Sequence, residues 1–141
     1  MADLGAISAI ARAAYSKYVP RIGREPAPMV ADFAECIAQE VVLVIEVDAA
    51  VGGFMIAWPE ADAYFVDNIA VAPAAQGRGL ARMLIGHAVD AARQHGLSAL
   101  RLYTNVAMTE NLALYRHIGF VETHRAMENR FNRVYMRWDF P

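Results

Sequence analysis

The stretch Val71-Ala-Pro-Ala-Ala-Gln76-Gly77-Arg78-Gly79-Leu80-Ala81 joins an apolar, β-rich run to an amphipathic helical pattern through a turn holding two glycines. Gly77 and Gly79 carry no Cβ, so the backbone there is free to take positive φ. Successive N–H groups then converge where the helix dipole already favours negative charge. Such a turn is a receptor for phosphate oxygens, and a pyrophosphate is the group it suits. Spacing narrows the ligand further. A P-loop needs Lys followed by Ser or Thr after its last glycine, and Leu80-Ala81 stands there instead. A Rossmann turn needs a third glycine and an acidic residue about 20 positions on, where this chain has a strand around Arg101.

Outward from the turn, apolar spacing at Leu4, Ile7, Ile10, Ala11, Ala14, Tyr15 and Tyr18 predicts a helix over 4–18, with Asp3 as its cap. Pro20, Gly23, Pro26 and Pro28 make 19–28 a loop, and 29–38 reads as a second short helix. Strands are expected at 41–47 and 51–58, joined as a hairpin, then at 64–72, 99–103, 120–127 and 133–140. Between them lie a long helix over 79–95, stopped by Gly96, and a short one over 111–117, closed by Gly119. The order is ααβββαβαββ. The strands that flank the long helix should pair in parallel, because a crossover helix joins them.

A second motif, Leu114-Tyr115-Arg-His-Ile-Gly119-Phe120, follows the turn at a remove of one helix and one strand. Together with Gln76, Gly79 and Ala81, which fill the pattern Gln/Arg-x-x-Gly-x-Gly/Ala, it resembles the GNAT superfamily of acyl-CoA-dependent N-acyltransferases. The resemblance is good from residue 41 to the end and holds only in outline before that. It implies an α/β (α+β) fold with a mixed central sheet flanked by helices. The family's order carries one further strand ahead of the first helix, which is missing here. Either the sequence starts late, or that sheet edge is bare or filled by another chain, as in a homodimer.

The resemblance also implies roles. Tyr115 matches the tyrosine placed near a thioester sulfur, where a phenol donates a proton; the alternative is a core tyrosine. The oxyanion contact falls to a backbone N–H at or next to Val71, on a strand that bulges and pairs with the pantetheine arm through Ile69 and Val71. Gln76, Gly77, Arg78, Gly79, Leu80 and Ala81 would hold the pyrophosphate, mainly through backbone donors. Asp67 is the candidate base, against a plain surface carboxylate or a water relay. Strict alternation puts Asp67, Ile69 and Val71 on one face, unless a bulge shifts the register. Met108 stands where many members have an Asn toward the cofactor, so Asn111, nearly on the same helix face, and Asn105 are its substitutes. Acetyl-CoA is the implied cosubstrate, with no metal. The acceptor is a small amine, an amino acid or a peptide N-terminus, walled by Tyr15, Tyr18, Arg21, Arg24 and Met29. The two arginines would suit an acceptor that also bears a carboxylate. A non-catalytic acyl-CoA sensor is the alternative.

Composition agrees. The 141 residues are 57% hydrophobic and read as one domain, residues 1–141. A net charge of −2 and no basic stripe disfavour a nucleic-acid partner, tRNA included. No apolar run reaches the ~18 residues of a membrane span and no leader is visible, so a soluble, cytoplasmic protein is expected. The single Cys36 makes no internal disulfide, and His87, His95, His117 and His124 lack metal-ligand spacing.

Overall fold

A computed structural model of the chain describes residues 3–141. Helix α1 (Leu4–Tyr15) buries Ile7, Ile10, Ala11 and Tyr15, the face its periodicity foretold. Asp3 does not cap it with its side chain; its carbonyl takes the Ile7 N–H at 2.9 Å instead. The chain tightens into a 3₁₀ turn over Ser16–Tyr18 and continues as α2 (Val19–Ile22), so the expected loop begins as helix. Pro20 permits this because it lies in the first turn, where its missing N–H costs nothing, and Gly23 ends the helix at φ +88°. The expected helix over 29–38 starts late. Ala27–Met29 is a 3₁₀ turn, and α3 (Phe33–Ala38) begins only where the Asp32 carboxylate accepts the Glu35 N–H at 3.1 Å.

Six strands follow: β1 (Val42–Val47), β2 (Ala50–Pro59), β3 (Tyr64–Val71), β4 (Leu100–Asn105), β5 (Val121–Glu128) and β6 (Phe131–Trp138). Their order in one sheet is β1-β2-β3-β4-β6-β5, with β1 and β5 at its edges. Among the described residues only β3 and β4 run parallel, and α4 (Leu80–Gln94) makes their crossover, as its length requires. Helix α5 (Thr109–Ile118) links β4 to β5. Two hairpins close through Asp48-Ala49 and Asn129-Arg130, four residues at φ between +50° and +67°, so each connection is shorter than expected and its strands extend further toward the turn.

Two apolar layers hold the sheet. Val66, Ile69, Leu84, Ile85, Ala88, Leu100, Leu102, Tyr115 and Phe120 form the layer beneath α4 and α5. Ile7, Ile10, Tyr15, Phe33, Phe54, Ile56 and Ala70 form the one beneath α1 and α3. The layers reveal a break in β3. Ile56 lies opposite Asn68 and Ala57 opposite Val66, which leaves Asp67 as an extra residue, a β-bulge. Val66 and Ile69, three apart, both join the α4 layer, so Asp67 and Asn68 turn to the other side. Asp67 therefore does not share a face with Ile69, contrary to strict alternation.

Candidate functional site

Strands β3 and β4 pair only at Tyr64 with Leu100, Phe65 with Arg101 and Val66 with Leu102, then part at the bulge. Beyond it, the carbonyls of Ile69 and Val71 point into the opening. Tyr15 Oη lies 2.8 Å from the first, and Gln76 Nε2 donates to the second at 3.4 Å. In an antiparallel ladder a residue's N–H and C=O face the same side, so the Ile69 and Val71 N–H groups face the opening too. Tyr15 Oη is also 2.8 Å from Asn68 Oδ1, and Asn68 Nδ2 donates to the Pro28 carbonyl at 2.9 Å, which ties α1 and the 3₁₀ turn to the bulge.

The turn after β3 is built for backbone donors. Pro73–Ala75 makes a 3₁₀ turn, and Gly77 and Gly79 take φ of +84° and +74°. The first bond inside α4 runs from the Met83 N–H to the Gly79 carbonyl, which leaves the N–H groups of Leu80, Ala81 and Arg82 without helical partners. Leu80 anchors the turn from below: its side chain is buried and lies where a Cβ on Gly52 would meet it at 3.1 Å. Arg78 leans away from the turn, 3.3 Å from Asp48 in the first hairpin.

Two clefts open on the parted strands. The larger, of about 990 Å³, is lined by Ile69, Val71, Gln76, Gly77, Gly79 and Ala81, by Tyr18, and by Lys17 and Arg82, which the sequence reading did not single out. The smaller, of about 530 Å³, holds Asp67 with Tyr103, Phe131, Arg133 and the 26–28 segment. Tyr15, Ile69, Asn111 and Tyr115 line both, so the clefts meet there. Of the residues expected at the cosubstrate and catalytic positions, Arg78 and Leu80 line neither, and of the expected acceptor wall Met29 is buried in the layer beneath α1 instead.

Burial holds the Tyr115 phenol well above its ordinary pKa, with Tyr18 adding to the effect. Burial also raises Asp67, and the positive charge of Arg133 partly opposes it. Asn105 spends its Oδ1 on the Ala107 N–H at 2.9 Å, and Met108 is buried at the start of α5. Asn111 is thus the amide of that region facing both clefts. Arg21 and Arg24 line neither: Arg21 pairs with Glu110 at 2.6 Å, and Arg24 donates to the Asn129 carbonyl at 2.7 Å.

A mixed sheet opened beside a glycine turn at a helix start defines a class. The sequence model of the acetyltransferase (GNAT) family matches residues 7–120, and the chain belongs to that family. The [ribosomal protein bS18]-alanine N-acetyltransferase of Salmonella typhimurium is 35% identical over 80 residues, 57% of this chain and 54% of that protein. The mycothiol acetyltransferase of Renibacterium salmoninarum is 38% identical over 52 residues, 37% of this chain and 15% of that one. The chain thus spans about half or less of these curated relatives. The PaiA N-acetyltransferase of Thermoplasma acidophilum, solved with coenzyme A, superposes with a TM-score of 0.77 over 99% of this chain and 94% of that one. At 13% identity this likeness is one of fold. Among the described residues no helix is long and apolar enough to cross a membrane.

Proposed function

We propose that this chain transfers an acetyl group from acetyl-CoA to a primary amine by direct attack, both substrates being bound together. The observation that carries this reading is the meeting of the two clefts at Ile69 and Tyr115, one cleft bearing the glycine turn and the other Asp67. The chemistry of the donor set fits the cosubstrate. The N–H groups of residues 77–82 and the start of α4 suit a pyrophosphate, and Arg82 adds a cation at the rim. The free edge of β3 at Ile69 and Val71 suits the amides of a pantetheine arm, which can add to it as a strand would.

Acetyl-CoA supplies a thioester, whose carbonyl carbon an uncharged amine attacks; the new N–C bond forms as the C–S bond breaks. Asp67 takes the proton from the acceptor's ammonium, and its raised pKa makes it a better base than an exposed aspartate. The Ile69 N–H, at the junction of the clefts, faces the thioester oxygen as negative charge gathers there, while the Val71 N–H serves the arm. Tyr115, kept protonated at rest by burial though a weaker acid for it, hydrogen-bonds the departing sulfur and passes it a proton, and the second proton that the attacking nitrogen loses as it becomes an amide restores the phenol. The test is thiol release from acetyl-CoA across amines, amino acids and short peptides, beside calorimetric titration of acetyl-CoA. Release with one acceptor class is expected. Tight binding without release would replace this reading by a sensor, and no binding would remove acetyl-CoA as the ligand.

A further inference from the structure

Asp67 and Arg133 are the charged side chains of the smaller cleft. Among the described residues they form no ion pair with each other: Arg133 reaches Glu128 at the rim at 3.5 Å, and Asp67 feels the charge of Arg133 without pairing to it. The Arg133 side chain is only 13% exposed, and its guanidinium lies 4.2 Å from the centre of the Tyr103 ring. A guanidinium presents five N–H donors in a rigid fork, and here, packed on the Tyr103 ring, it spends donors toward Glu128 and Tyr135 and has the others left for a ligand. Opposite charges held apart in one small cleft match a ligand that carries both signs itself. We infer that Arg133 binds a carboxylate of the acceptor, so that the amine acetylated here belongs to a free amino acid, its ammonium directed to Asp67.

The inference rests on the acetyltransferase reading and narrows its substrate. Arg133 takes the role that sequence order suggested for Arg21 and Arg24, which are spent on Glu110 and Asn129. The aromatic and prolyl walls from Tyr103, Phe131, Pro26 and Pro28 leave an apolar lining for the amino acid's side chain. A peptide N-terminus has an amide where the free acid has its second charge, and would leave the Arg133 fork unpaired.

The experiment measures kcat/KM by thiol release for the twenty common L-amino acids, each beside its carboxamide, and for short peptides and simple amines. Free acids should exceed their carboxamides by about 100-fold. In Arg133→Gln that preference should shrink to a few-fold, mostly through KM, with Arg133→Lys between the two. Acetyl-CoA titration of each variant checks that the other cleft is intact. Carboxamides or peptides turned over as well as the acids by the wild-type protein would overturn the inference and spare the acetyltransferase reading. An Arg133→Gln protein that keeps the preference would overturn it too. No thiol release with any of these amines would remove both.

Discussion

In the proposed reaction Tyr115 serves a leaving thiolate only while it holds its proton, and burial favours that state. Tyr115→Phe should leave the acetyl-CoA dissociation constant unchanged and lower kcat by about 10²- to 10⁴-fold, read by calorimetry and thiol release. The base proposed at Asp67 needs the opposite state. Its folded-state pKa is raised, so it keeps a proton to a higher pH than an exposed aspartate, and kcat/KM should begin to fall on acidification sooner than an ordinary carboxylate would dictate. Asp67→Asn should lower kcat and flatten that acid limb in a pH–rate profile. The position of Tyr115 in the chain was legible because a two-element motif fixes it. The facing of Asp67 was not, since one bulged residue undoes alternation without leaving a mark in composition. Arg133 was invisible for another reason: nothing in the sequence says that β6 will lie beside β4 and carry it to the cleft.

The N-terminal helices are tied to α5 by Glu110. Arg21 holds this carboxylate at 2.6 Å and Lys17 at 3.3 Å, and the Arg21 and Thr109 hydrogen bonds bring its pKa down to about 2. A depressed carboxylate stabilises the fold above its unfolded pKa, and that contribution fades as pH falls toward 2. Glu110→Gln should therefore lower Tm at neutral pH, with the gap to wild type closing by about pH 2 and narrowing in high salt. At the other end of α5, Gly119 has φ +136°, and a Cβ there would lie 2.7 Å from Trp138 Nε1. Gly119→Ala should cost about 3 kcal/mol in urea unfolding, from overpacking and backbone strain together. Gly119 as a helix stop was readable; Trp138 as its neighbour was not, because that contact spans β5 and its hairpin. The same limit applies at α2 and α3. Prolines advertised a break over 19–28, yet Pro20 falls in a first turn and Asp32 restarts the helix late.

The parallel pairing of β3 with β4 followed from one fact of sequence, a long helix between two β-rich runs, whereas the insertion of β6 between β4 and β5 did not. Where those strands part did not follow, because strand length says nothing of how far two strands stay together. The opening makes the molecule's stability depend on ligand: acetyl-CoA at 100 times its dissociation constant should add about 2.7 kcal/mol. For a chain of this size that raises Tm by about 8 °C in a thermal melt. Gly79→Asp, with a carboxylate at the turn and a side chain at φ +74°, should show no such rise even where its own Tm is preserved. The parting of β3 from β4 has one more consequence. A bare strand edge normally invites sticking between molecules and is guarded by lysine, proline or a kink. The edge along Ile69 and Val71 needs no such guard, because it is enclosed by α1, α5 and the start of α4. A single extended chain suits such an edge, so this protein keeps an adhesive strand in reserve among its helices rather than along its rim.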